Sequence, residues 1–268
     1  MEKLIVKITE EIYLKDYLLS INFTSGQIDS LLRKKDIRVN GIRTKENILL
    51  FSGNELCVFY KTEPIDIVFE DDNIIIVSKP FGIEVEGENG LAKRLNSLPV
   101  HRLDRNTTGL IIFAKNKLSQ QALEKAIKEK KLIKKYYAEV VGKADFKNYN
   151  FDAFLVKDAD KSKVRIYNKK MTGSEKISTT FNTVKSSYIS SLIECTLHTG
   201  KTHQIRASLA YLGHPIIGDG KYGKNEDNKR FKENKQRLHS FYLKLCGLEG
   251  NLSYLNGKEF LNKPNWVK

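Results

Sequence analysis

Cysteine is scarce in this chain: three in 268 residues, Cys57, Cys195 and Cys246, far apart and each in an apolar, strand-like stretch. An odd number with no CxxC pair argues against a disulfide framework or a zinc knuckle and for reduced thiols in a core. Long apolar runs are missing too. The longest, Ile74-Ile75-Ile76-Val77 and Leu110-Ile111-Ile112-Phe113-Ala114, are too short to cross a bilayer as a helix, so no membrane association is expected. The first residues, Met1 to Lys7, lack the apolar stretch of a secretory signal, and a cytoplasmic protein is the default expectation. Acidic residues are the third deficit, with 32 Asp and Glu against 46 Lys and Arg, a net charge of +14. Such an excess repels itself in the folded state and favours a polyanionic partner. Nucleic acid fits best, because each neutralised phosphate releases a counterion. A lysine-rich composition that only keeps the chain in solution would look the same, and charge alone does not separate the two.

What is present suits a globular protein: 40 % hydrophobic and 29 % charged residues, in a length that allows a small domain beside a larger one. Residues 1–60 read as the small one. Leu4, Val6 and Ile8 alternate with polar residues, as in a strand. Leu14, Tyr17, Leu18 and Ile21 fall at helical spacing. Thr24 followed by Gln27 resembles a capping box ahead of a second helix with Ile28, Leu31 and Leu32 on its apolar stripe. Asn40-Gly41 between short β-like runs is a strong hairpin signal, because both turn residues must accept positive φ. A last strand is expected from about Glu55 to Tyr60. Residues 61–65 read as a linker, punctuated by Pro64.

From residue 66 onward strands dominate, interrupted by two helices. The spacing predicts one over about Lys117 to Lys131, with Leu118, Ala122, Ala126 and Ile127 on one face. The other begins near His203 and ends at Tyr211-Leu212, with Gly213 as the C-terminal cap. The order of elements predicts an α+β domain with a mixed, largely antiparallel sheet, and the lack of regular βαβ alternation argues against a doubly wound fold.

The segment His101-Arg102-Leu103-Asp104-Arg105-Asn106-Thr107-Thr108-Gly109 is a polar loop ahead of a wholly apolar strand. Polar clusters at the mouth of a core strand are where sites are commonly built. On spacing alone Asp104 reads first as a loop carboxylate capping backbone amides. Three further segments stand in order around it: Lys79-Pro80-Phe81-Gly82 upstream, Tyr136-Tyr137-Ala138 downstream, and then His198-Thr199-Gly200-Lys201-Thr202-His203-Gln204-Ile205-Arg206 followed by Gly213-His214-Pro215-Ile216-Ile217-Gly218-Asp219. Together they resemble the RluA-type pseudouridine synthases, from about residue 65 to the C-terminus. In that family the loop usually reads Thr-Ser-Gly, and Thr108 replaces the serine. The N-terminal module resembles an S-four-like RNA-binding domain, with Tyr13-Leu14-Lys15-Asp16 where family members usually begin Arg-Leu-Asp.

The resemblance implies an RNA isomerase that breaks the bond from the ribose anomeric carbon to nitrogen 1 of uracil and rejoins the base through carbon 5. No redox change or phosphoryl transfer occurs, so no cofactor, nucleotide or metal is called for. It assigns Asp104 to the anomeric centre, where a carboxylate can stabilise positive charge, attack it, or remove a ribose proton. Glycosidases use carboxylates on related grounds. Arg206 is implied as the cation paired with Asp104, Tyr136 as the ring that stacks on the target base, and Arg102 as the residue that holds the extruded arrangement. His101 and Lys79 are supporting residues of the two loops. Ribosomal RNA, of the large subunit, is favoured over transfer RNA, and a monomer is the default. Lys128, Lys130, Lys131, Lys134 and Lys135, and the basic residues from Lys221 to Arg237, would contact phosphates and position the RNA. Other chemistries fit less well. Gly200-Lys201-Thr202 echoes a nucleotide-binding loop, but Cys195 stands where that loop needs glycine. His198, His203, His214 and Cys195 lack zinc-ligand spacing. A catalytically idle RNA-binding assembly factor is the remaining alternative.

Overall fold

The computed structural model describes residues 2–21, 23, 25–60, 65–87, 90–158 and 162–267. Thr24 and most of the 61–65 linker lie outside these. The first sixty residues run β1 (Glu2–Lys7), β2 (Ile12–Tyr13), α1 (Leu14–Ser20), α2 (Ser25–Lys34), β3 (Ile37–Val39), β4 (Ile42–Thr44), β5 (Leu49–Leu50) and β6 (Glu55–Tyr60). β1, β6, β3 and β4 form an antiparallel sheet in that order, and β2 pairs with β5. The β3–β4 turn is Asn40-Gly41, with φ of 50° and 82°, as a two-residue hairpin requires. Leu14 and Leu18 of α1 and Ile28, Leu31 and Leu32 of α2 are buried against Ile37, Leu56 and Val58 of the sheet. This cluster draws every member from residues before 61.

The rest of the chain follows as β7 (Asp66–Glu70), β8 (Ile74–Lys79), α3 (Leu91–Arg94), β9 (Leu98–Pro99), β10 (Thr108–Ala114), α4 (Lys117–Lys128), β11 (Leu132–Val141), β12 (Tyr149–Asp158), β13 (Lys163–Tyr167), β14 (Glu175–Ser186), β15 (Ser190–Leu197), α5 (Gln204–Tyr211), α6 (Asn225–Arg230) and β16 (Leu238–Leu245). A 3-10 helix (Gly250–Leu255) and β17 (Glu259–Leu261) complete it. One large sheet runs β13-β12-β14-β15-β11-β16-β10-β8-β7, with β9 added on β10 and β17 on β16. Among the described residues its pairings are antiparallel except β10 with β16. The fold is therefore α+β with a mixed, largely antiparallel sheet. No helix among the described residues is long and apolar enough to cross a membrane.

The two isoleucine-rich runs are central strands covered on both faces. Because side chains alternate across a strand, Ile75, Val77, Ile111 and Phe113 enter one core with α5, while Ile74, Ile76, Leu110, Ile112 and Ala114 enter a second with α4 and the 3-10 helix. Continuous apolar runs are what such double coverage demands.

Of the predicted α4 face, Ala126 is buried and Ala122 and Ile127 pack against the core, but Leu118 does not. Asn116 caps the helix by accepting from Ser119 N at 2.9 Å, and this fixes a phase in which Ser119, Leu123 and Ala126 are buried. Leu118 faces outward, 62 % exposed. The helix also stops at Lys128, and Lys130 takes a left-handed φ of 58°. Two short helices, α3 and α6, were not expected from the polar sequences that carry them.

Candidate active site

Asp104 sits in the loop between β9 and β10, and the Thr-Thr-Gly residues after it fasten that loop to β16. Thr107 N donates to the Asp104 carbonyl (3.0 Å), and Thr107 Oγ1 accepts from Gln236 Nε2 (3.0 Å). Thr108 Oγ1 lies 2.7 Å from His239 Nδ1, while His239 Nε2 faces the Asn262 carbonyl at 2.8 Å. Gly109 has φ +101°, and a Cβ there would come within 2.3 Å of the Ser240 carbonyl oxygen, so this close strand crossing requires glycine.

The Lys-Pro loop is bonded to the same segment from the other side. Lys79 is fully buried, and its amine donates to three backbone carbonyls: Pro80 (3.0 Å), Ile83 (2.6 Å) and Arg105 (2.8 Å). Burial pulls the Lys79 pKa down to about 7, with Asp104 pulling the other way. Three carbonyl acceptors nonetheless use all three hydrogens of an ammonium. Gly82 N donates to the Arg105 carbonyl (3.0 Å), and Arg105 Nε returns a bond to the Gly82 carbonyl (3.2 Å). Arg105 also donates to the carbonyl of Phe23, in the N-terminal module (3.2 Å).

Arg206 comes from α5, whose start is pinned by Gln204. The Gln204 side chain accepts from Lys201 N (3.0 Å) and Thr199 Oγ1 (2.9 Å) and donates to Thr179 Oγ1 (2.9 Å) and the Ser178 carbonyl (3.1 Å). It thereby closes the Thr199–Lys201 turn and ties it to β14. His203 precedes the helix with a left-handed φ of 53°. The first helical turn then points Arg206 at Asp104: Nη1 donates to Asp104 Oδ2 at 3.0 Å. Behind it Asp219, buried, accepts from Arg206 Nε (2.7 Å) and Nη2 (3.0 Å), and also from the backbone N–H of Lys221 (2.8 Å) and Tyr222 (3.1 Å). Burial pushes the Asp219 carboxyl up, but the guanidinium and those two amides outweigh it and hold the pKa below the usual aspartate value. Burial opposes the Arg206 charge in turn, and the two carboxylates more than restore it.

His203 lies on the same wall, with Tyr222 behind it. His203 Nε2 stands 3.9 Å from Asp104 Oδ2, and its Nδ1 is 3.0 Å from the Tyr222 hydroxyl. Burial holds the His203 pKa at about 4, so this imidazole is neutral at pH 7. The Tyr222 ring lies under the Arg206 guanidinium, 5.3 Å from centroid to Cζ, a cation–π arrangement.

Tyr136 projects from β11 and is buried; its hydroxyl is bonded to Ser240, and burial raises its pKa. Tyr137 turns to the opposite face and stacks on Phe241 at 3.8 Å, as strand alternation requires. Asp104, Tyr136 and Arg206 line one cavity of about 700 Å³. A second, of about 570 Å³, adjoins it, and Arg102, Leu103, Asp104, His203 and Arg206 line both. Arg102 is exposed at this divide. His101 is half-buried, its pKa pushed down to about 3 by desolvation and by the Lys134 charge, and its Nε2 accepts from Ile112 N at 3.4 Å, a loop-supporting position. The structure thus brings Asp104, Tyr136, Arg206 and Arg102 to one opening, with His101 also on its wall, and puts Lys79 behind it. Among the described residues no cluster of three His, Cys, Asp or Glu could hold a metal ion. Asp219, Tyr222 and His203 were not among the expected site residues. The first lay within a motif already noted, but nothing in the chain order shows that it reaches Arg206.

Residues 73–211 match the model of the RNA pseudouridylate synthase family. Ribosomal large subunit pseudouridine synthase C of Escherichia coli K12 is 30 % identical over 254 residues, covering 84 % of this chain and 79 % of that protein. An uncharacterized RNA pseudouridine synthase of Mycoplasma capricolum is 30 % identical over 282 residues, covering 88 % of each. The solved structure of human RNA pseudouridylate synthase domain containing 4 superposes with a TM-score of 0.60 over 75 % of this chain and 89 % of that one; at 23 % identity it bears on the fold alone. With a carboxylate, a guanidinium and a buried phenol around one cavity, and the family's sequence running through all three, this chain belongs to the RNA pseudouridylate synthase family and is an RNA pseudouridine synthase.

Proposed function

We propose that this enzyme isomerises specific uridines of large-subunit ribosomal RNA, with Asp104 acting at the anomeric carbon. The observation that carries the chemical part is the Asp104–Arg206 contact at 3.0 Å on the wall of an open cavity. A carboxylate held there by a fixed cation meets positive charge as it develops on a ribose. Tyr136, on the same wall, offers a ring face for the extruded uracil. Arg102, exposed where the two cavities meet, is placed to hold a strand opened by extrusion. The substrate part is supported by the E. coli relative, named for the large ribosomal subunit.

Residues 1–60 serve in this reading as an S-four-like RNA-binding module, with Arg33, Lys34, Lys35, Arg38 and Arg43 as its basic surface, and residues 66–268 as the catalytic domain. The protein acts as a cytoplasmic monomer. The test incubates the purified chain with unmodified transcripts of large-subunit ribosomal RNA and of transfer RNA, then maps pseudouridine by chemical probing. The reading expects a few discrete sites in the ribosomal transcript. Product confined to transfer RNA would remove the ribosomal assignment, and binding without product on any RNA would favour an idle assembly factor.

A further inference from the structure

Five lysines, at 128, 130, 131, 134 and 135, lie around the end of α4 and the start of β11, and the structure separates them. Lys131 is engaged by Glu129 (2.6 Å) and Glu249 (3.1 Å), and Lys135 by Glu194 (3.0 Å). Lys128 and Lys130 are exposed at the rim. Lys134 differs from all four. It is two residues from Tyr136 on one strand, so both side chains face the same way, and both line the catalytic cavity. Its amine reaches Gly200, on the turn that leads into α5, 3.9 Å from where a Cβ on that glycine would sit. No carboxylate pairs with it among the described residues. Burial depresses its pKa, which registers a charge drawn out of water without compensation.

An unpaired, half-buried cation costs stability, and a protein keeps one where a ligand supplies the counter-charge. The cavity wall carries six cations, Arg102, Lys128, Lys130, Lys134, Lys201 and Arg206, and one carboxylate, Asp104. Arg206 is occupied by Asp104 and Asp219, and Lys201 by Glu175 at 2.5 Å. The innermost cation left for an anion is Lys134.

We propose that Lys134 and the Gly200 turn form a binding subsite for a phosphodiester flanking the target uridine, so that Lys134 positions the extruded nucleotide. This rests on the RNA pseudouridine synthase reading of the cavity. Tyr136 takes the base, Asp104 faces the sugar, and Lys134 on the same wall takes the phosphate. Gly200 has no side chain to fill the space beside the amine.

The experiment uses the full chain as wild type, Lys134→Arg, Lys134→Gln and Lys134→Met. Binding to and turnover of an unmodified large-subunit ribosomal RNA transcript are measured over a KCl series. For Lys134→Gln and Lys134→Met, loss of one charge-assisted phosphate contact weakens binding about tenfold at low salt. It also reduces the slope of log Kd against log salt by about 0.7–0.9. Lys134→Arg keeps the wild-type slope, because either cation can hold a phosphate. Both neutral variants melt no lower than the wild type, since they remove an uncompensated charge. A wild-type salt slope in both neutral variants would overturn the proposal, whatever the change in Kd. Absence of pseudouridine with wild-type protein would count against the substrate reading alone, because the slope comparison needs binding and not turnover.

Discussion

Asp219 grips Arg206 from behind with both carboxylate oxygens, at 2.7 and 3.0 Å, and leaves the remaining guanidinium nitrogen aimed at Asp104. A planar guanidinium bound at two corners cannot swing. The direction of the Arg206–Asp104 bond is therefore set by a residue that does not touch the cavity. The Tyr222 ring under the guanidinium and the amides of Lys221 and Tyr222 on Asp219 fix the rest.

Asp219→Asn should consequently lower kcat more than it weakens RNA binding, by about 10–100-fold as for other orienting partners behind a site. Breaking one side of a buried ion pair should also cost about 3–5 kcal/mol in urea unfolding. The acid dependence has a definite sign. The folded pKa of Asp219 is depressed, so its contribution is present above the unfolded value near pH ~4 and is lost as pH falls through the folded one. Thermal melting from pH 6 to pH 2 should show the wild type converging on Asp219→Asn at the acid end; a constant gap between them would contradict this.

Lys79 makes a second prediction. Lys79→Met keeps the volume of the stem but strands the carbonyls of Pro80 and Ile83 and leaves that of Arg105 with the Gly82 amide alone. Leaving buried acceptors unsatisfied costs about 1–3 kcal/mol each. The variant should melt well below the wild type and turn over slowly, because the Arg105 carbonyl belongs to the residue after Asp104. Unchanged melting would mean that these bonds do not hold the loop.

A third concerns mild acid. His101 and His203 have folded pKa values of about 3 and about 4, both below the ordinary 6.5. Between those values and 6.5 the unfolded chain binds protons that the folded one refuses, so stability rises with pH across that window and falls as the solution is acidified. Each histidine adds up to about 1.4 kcal/mol per pH unit to the slope. Urea midpoints at pH 7, 6, 5 and 4 should fall progressively, and His101→Gln should flatten the fall. A midpoint indifferent to pH down to 5 would show that the fold does not hold these rings neutral.

Much of this was legible in the chain. The Asn40-Gly41 hairpin followed from one dipeptide, since few others accept positive φ twice. Ile74–Val77 and Leu110–Ala114 announced central strands because apolar residues at successive positions need cover on both faces. Leu118 was placed on the wrong side of α4 because it is apolar and the cap at Asn116, which sets the phase, is polar and easily passed over. The site divided in the same way. Asp104, Tyr136 and Arg206 stand in motifs whose order along the chain carries the resemblance. Asp219, Tyr222 and Lys134 matter through distances between β11, α5 and the loop after α5, and no pattern within one segment encodes those. Lys134 and Lys135 are identical neighbours in the sequence. Strand alternation turns one toward the cavity and the other toward Glu194.

The central claim is that the Asp104 carboxylate carries the reaction while the fold stands without it. Asp104→Asn keeps the shape and volume of the side chain and removes its charge. Purified to the same melting profile as the wild type and given the same unmodified ribosomal transcript, it should bind the RNA and form no measurable pseudouridine. Pseudouridine formed by that variant at the wild-type rate would contradict the account at its root.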